Sequence, residues 1–159
     1  MGNGQVVYLV PQRVLDDARH FFRERGGHGF EGTGLLAGRS VEGVVQITRL
    51  VVPEQVAFAG EYGCAVDLTP HAHYTLPDLL TDGEQFYARI HSHPARAYHS
   101  DRDNANEVLS HEGAISIVVP HFARDPISLD GCAIYELSHE RGWVRLRSRI
   151  INTRFRVTQ

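Results

Sequence analysis

Apolar residues recur at helical spacing over residues 11–22, where Val14, Ala18 and Phe21 share one face, and Gly26-Gly27 gives the run a stopping point. Short apolar or alternating runs predict strands at residues 34–36, 44–52, 86–91, 114–119, 131–137 and 143–147. Between the third and fourth of these, residues 100–109 look like a helix, with Ser100 as N-cap and acidic residues in the first turn. Two stretches, residues 53–84 and 121–130, show no regular period. Within the first, Leu76, Leu79 and Leu80 fall on one face and predict a short core-facing helix. A leading helix and a second helix in the middle of a strand series predict an α/β (α+β) sandwich around a curved, mixed sheet.

Length and charge narrow the classes. The 159 residues suit one domain spanning 1–159 with a true core. Sixteen Lys and Arg against 19 Asp and Glu give a net charge of −3 and no basic field for nucleic acid. No apolar run is long enough to span a membrane. Met1-Gly2-Asn3-Gly4-Gln5 is not a signal peptide, and Val6 spoils a myristoylation pattern, so a cytoplasmic location is expected. Cys64 and Cys132 are widely separated, lack an adjacent base and are expected to be reduced thiols.

The chemistry concentrates in His91-Ser92-His93-Pro94, followed by Ser100 and Asp103. Two His at i and i+2 near a strand end point to the same face and can converge on one ion. Asp103, three residues past a helix cap, can turn its carboxylate toward the same point. Two His and one carboxylate leave a fourth tetrahedral position open for water, as in catalytic rather than structural zinc sites. The ten His of the chain make a His-x-His pair alone a weak signal, and a second pair, His71-x-His73, lacks such company and is expected to be a solvated loop. Plainer roles exist for each residue: Asp103 as a first-turn carboxylate favouring the helix dipole, Ser100 as an ordinary cap, Glu31 as a solvated loop carboxylate and His99 as a rim residue.

Glu31-Gly32-Thr33-Gly34-Leu35-Leu36-Ala37-Gly38 places an acidic residue at the entry of an apolar, glycine-flanked run. Together with His91-x-His93-Pro94 and Ser100-x-x-Asp103, it resembles the JAMM (MPN-plus) zinc metalloproteases, which include isopeptidases and deubiquitinases, over about residues 14–144. The resemblance implies a three-layer sandwich, with helices flanking the curved sheet. It also implies His91, His93 and Asp103 as ligands of one catalytic Zn2+, Glu31 as general base and Ser100 as donor to the oxyanion. The six residues Pro94 to His99 make the loop before Ser100 one residue shorter than the family's usual spacing.

For such a compact chain the resemblance points to the prokaryotic branch. The implied substrate is a ubiquitin-like protein with a C-terminal glycine, or its conjugates, and the implied company is ubiquitin-activating-like and ubiquitin-conjugating-like enzymes. Conjugates of sulfur-carrier proteins in cysteine or cofactor synthesis are an alternative substrate. A non-catalytic MPN scaffold is the alternative class. Inserts near residues 53–84 and 121–130 would grip the substrate, and here both are short.

Overall fold

The computed structural model describes residues 4–159, so the Met1-Gly2 motif lies outside the described residues. One mixed sheet of eight strands organises the chain, in the order β10-β1-β3-β2-β6-β7-β8-β9. Its strands are β1 (Val7–Pro11), β2 (Thr33–Val41), β3 (Val44–Val51), β6 (Gln85–Ser92), β7 (Ile115–Val119), β8 (Ala133–Ser138), β9 (Gly142–Arg145) and β10 (Phe155–Thr158). The pairs β10/β1, β1/β3 and β6/β7 are parallel and the others antiparallel. A separate hairpin, β4 (Gln55–Gly60) and β5 (Gly63–Leu68), stands apart from this sheet.

The first helix, α1 (Gln12–Gly27), buries Val14, Leu15, Ala18 and Phe22. That spacing makes one stripe along the helix, and the stripe joins Val10, Ile47, Ile90, Ile117 and Ile134 in the larger core. The opposite sheet face carries a second core, in which Leu35, Ala37 and Val51 meet Leu68 from the hairpin, Ala72 from α2 (Pro70–Thr75) and Leu76 from the turn that follows it. Strand alternation divides these sets: Leu36, Ala88 and Ile90 belong to the first core, while Leu35 and Ala37 belong to the second. Sheet and flanking helices thus form the expected layered α+β sandwich, with a curled mixed sheet.

The β2–β3 turn uses Glu42 and Gly43 at φ 51° and 81°, two successive left-handed residues of the kind that suit the strand twist in tight hairpins. Near the end of α1, Gly26 lies so close to Phe122 that an added Cβ would sit 2.4 Å from the Phe122 Cβ.

The helix after Ser100 is shorter than its sequence pattern predicts. It closes after one turn, as α3 (Asp101–Ala105), because Asn106 turns extended at ψ 120°. The core-facing helix predicted within residues 75–80 becomes the end of α2 and a 3-10 turn over Leu76–Leu79, with Leu76 buried. The chain ends with α4 (Ser148–Arg154) and β10, neither of which the apolar pattern predicted. Only α3 lies within the crossover between parallel β6 and β7, at the carboxyl ends of the strands where α/β sheets place their ligands.

Candidate metal centre

His91 lies on β6 with Thr33 and Val118 as its cross-strand neighbours. His93 follows just beyond the strand, yet its backbone stays fixed: its N–H donates to Val119 O and its C=O accepts from Phe122 N, both at 2.8 Å. Phe122 belongs to a tight turn in which His121, Phe122 and Ala123 hold φ of 54°, 52° and 55°. Left-handed backbone costs a non-glycine residue roughly 1–2 kcal/mol, so the turn needs outside support. Arg19 on α1 supplies it by donating to the carbonyls of Ala123 and Arg124 at 3.3 and 2.9 Å. The Tyr98 ring meets the His93 ring edge-on at a centroid distance of 4.9 Å.

Asp103 is set by the cap of α3. Ser100 Oγ accepts from Asp103 N at 3.2 Å, and Ser100 N donates to Asp103 Oδ2 at 2.8 Å, a reciprocal capping box. The short loop from Pro94 to His99 therefore still delivers the carboxylate to the two His.

The three side chains converge. His91 Nε2 lies 3.2 Å from His93 Nε2 and 3.1 Å from Asp103 Oδ1, and His93 Nε2 lies 3.2 Å from Asp103 Oδ2. Each imidazole nitrogen has one proton or one lone pair in the ring plane, so it cannot serve two such neighbours with full hydrogen bonds. A common cation satisfies all of them at once. A tetrahedral zinc with bonds of about 2.0–2.1 Å holds its ligands about 3.3 Å apart, close to the separations here. Among the described residues this is the only cluster of three or more His, Cys, Asp or Glu so disposed, and His71 and His73 are not part of it.

The electrostatics suit the same role. Burial pushes the His91 pKa down, which keeps its ring neutral and its lone pair available. Burial would raise the Asp103 pKa, but the His91 and His93 contacts and the Ser100 amide outweigh it and hold the carboxyl far below its usual range. Glu31 is not the solvated carboxylate that its loop position suggests: it is 7% exposed, and burial raises its pKa to about 7. It lines one cleft of about 590 Å3 with His91, His93, Ser100 and Asp103.

The β4–β5 hairpin forms another part of the cleft wall, with Phe58, Tyr62 and Cys64. Arg102 of α3 pairs with Asp67 of β5 and lies over the Phe58 ring, which ties the hairpin to α3.

Sequence reasoning missed Ser92, Arg89 and Ser116, all buried polar residues behind the site. A charged residue inside a strand of otherwise buried apolar neighbours was the available signal for Arg89. His99 is not a rim residue: its ring stacks on Tyr135 at 3.8 Å and bonds inward to Ser116 Oγ at 2.8 Å.

Residues 11–127 match the family described as prokaryotic homologs of the JAB domain. The chain is 31% identical over 150 residues to a protein of Sinorhizobium fredii named probable metalloprotease y4jG, covering 94% of this chain and 93% of that one. Two solved structures share the fold. A Desulfitobacterium hafniense protein studied in solution superposes with a TM-score of 0.59 at 15% identity, over 97% of this chain and 94% of its own. A JAB1/MPN domain protein from Archaeoglobus fulgidus does so with a TM-score of 0.51 at 13% identity, over 98% and 100%.

Proposed function

We propose, because the chain belongs to the family of prokaryotic JAB-domain homologs, that it is a zinc-dependent peptidase or isopeptidase. Its substrate would be a ubiquitin-like protein, cut after the C-terminal glycine in precursor processing, in deconjugation or in both. The observation that carries the reading is the 3.1–3.2 Å triangle of His91, His93 and Asp103 in the same cleft as a buried Glu31. A scaffold that had lost catalysis would not need to keep both a complete ligand set and a buried base.

A zinc ion held by these three residues would polarise the scissile carbonyl and lower the pKa of a water molecule to about 7. The Glu31 carboxylate takes the proton from the attacking water and passes it to the leaving amine nitrogen as the C–N bond breaks. Ser100 Oγ accepts from the Asp103 amide, which leaves its hydroxyl proton for the developing oxyanion, an effect of about 3 kcal/mol for a single donor. A cleft of about 590 Å3 has room for a short peptide segment. Activating-like and conjugating-like enzymes are the partners that such a substrate would bring.

The test is cleavage of a ubiquitin-like protein with a C-terminal extension by wild type and Glu31→Gln, with metal content measured on both. Zinc in both and cleavage by wild type alone supports the reading. Zinc in both and cleavage by neither removes that substrate class.

A further inference from the structure

We infer that Arg89 is a positioning residue for Asp103: it clamps the single turn of α3 to the sheet and thereby sets the affinity of the site for its metal. The inference rests on the reading of His91, His93 and Asp103 as metal ligands.

The reason lies in what α3 lacks. It has five residues and buries none of them. An isolated turn is unstable in water, since nucleation fixes many dihedrals for one hydrogen bond. The capping box joins Ser100 to Asp103 but ties neither of them to the sheet. Something else must hold the turn where Asp103 reaches His91 and His93.

Arg89 does so from β6, the strand that carries His91 and leads into His93. Its Nη2 donates to the Asp103 carbonyl at 2.5 Å and its Nη1 to the Asn106 carbonyl at 2.9 Å, at the end of α3. Its Nε donates to Ser116 Oγ at 2.9 Å. The guanidinium also covers the Trp143 ring at 4.4 Å from its centroid, and the residue is only 3% exposed.

A second path runs through His99. Arg89, Ser116 and Tyr135 lie in register across β6, β7 and β8. Asn104 Oδ1 lies 2.9 Å from His99 Nδ1 and accepts its proton, so His99 Nε2 accepts from Ser116 Oγ, which in turn accepts from Arg89. His99 N also donates to Tyr135 OH at 3.0 Å. The loop before α3 and the carbonyl end of α3 are thus both tied to this cross-strand row.

Groups that orient metal ligands typically change metal affinity by about 10–100-fold when removed. Zinc affinity of wild type, Arg89→Met and Ser116→Ala, measured by competition with a chromophoric chelator, tests the inference. Amide exchange over residues 103–106 of the zinc-free proteins is followed in parallel. Arg89→Met is expected to bind zinc about 10–100-fold more weakly and to lose exchange protection at Asn104 and Asn106. Ser116→Ala, the milder change, is expected to lose about threefold, the scale of one hydrogen bond. A folded Arg89→Met with lowered Tm but wild-type zinc affinity and protection would mean a role in stability only and overturns the inference. So does wild-type affinity in Ser116→Ala if Arg89→Met does not fold. If wild type takes up no zinc, the reading of the metal ligands fails instead, and exchange alone judges the clamp: unchanged protection in either folded variant rejects it.

Discussion

Gly32 and Ser92 exchange two hydrogen bonds, the Gly32 amide donating to Ser92 Oγ and the Ser92 amide to the Gly32 carbonyl, each at 3.0 Å. They sit beside Glu31 in one case and between His91 and His93 in the other, so one reciprocal contact registers Glu31 against the two His. Ser92 is fully buried. In Ser92→Ala the zinc content should stay at the wild-type level while turnover falls about fivefold, because a lost hydrogen bond of about 1 kcal/mol loosens Glu31 and not His91 or His93. Metal analysis beside steady-state kinetics checks this, and equal loss of zinc would place Ser92 with the ligands instead.

Glu31 should reveal itself in the zinc-free protein. Burial raises its folded pKa to about 7 from an ordinary 4.5, so its contribution to stability is complete below about pH 4.5 and is lost as pH rises through about 7. Glu31→Gln, which cannot ionise, should therefore gain stability over zinc-free wild type as pH rises across that window, by up to about 3 kcal/mol. Denaturant unfolding at pH 4.5, 6 and 8 reads the gap, and a gap that does not change with pH would mean that Glu31 is not buried as described.

Glu84 has the opposite sign. Arg49, Thr81 and Thr48 all bond to its carboxylate and hold its pKa far below the ordinary value. Its stabilisation is complete above about pH 4.5 and fades as pH falls below it. Glu84→Gln should be less stable than wild type at pH 6, and the difference should shrink toward pH 3. A constant difference would assign the loss to packing.

Gly26→Ala sets two effects against each other. Replacing a helical glycine by alanine normally stabilises by about 0.5–1 kcal/mol. Here the new Cβ would lie 2.4 Å from the Phe122 Cβ, and overpacking of that kind costs about 1–3 kcal/mol. The net effect expected is destabilisation, read as a lower Tm. Weaker zinc binding should accompany it, because Phe122 N holds the His93 carbonyl.

Thiol chemistry should be irrelevant to turnover. Burial raises the Cys132 pKa to about 12, and burial with the nearby Glu31 charge raises that of Cys64. A zinc chelator should abolish cleavage and a thiol alkylator leave it intact; inhibition only by the alkylator would overturn the metal assignment.

The convergence of His91, His93 and Asp103 was legible because strand alternation and helix capping are short-range rules, and these residues lie with Ser100 within thirteen positions. The six strands predicted from apolar runs all recur in the large sheet with shifted ends. The β4–β5 hairpin escaped because its strands alternate weakly and carry exposed Val56 and Phe58. α3 was overextended because Glu107, Val108 and Leu109 continue an amphipathic pattern that the extended Asn106 interrupts. Ser116 and its partnership with Arg89 were illegible because that partnership is a cross-strand register, which no local period encodes.

The closeness of the ligands along the chain has a consequence for biogenesis. An unfolded or nascent polypeptide already presents His91, His93 and Asp103 as one short chelating segment, whereas the Gly32–Ser92 contact that brings in Glu31 spans 60 positions and exists only after the sheet has formed. If these residues hold zinc as proposed, its capture can therefore precede the assembly of the proposed hydrolytic centre. Because the denatured chain would then compete for the ion, zinc should raise the melting temperature by less than its affinity for the native protein alone would give.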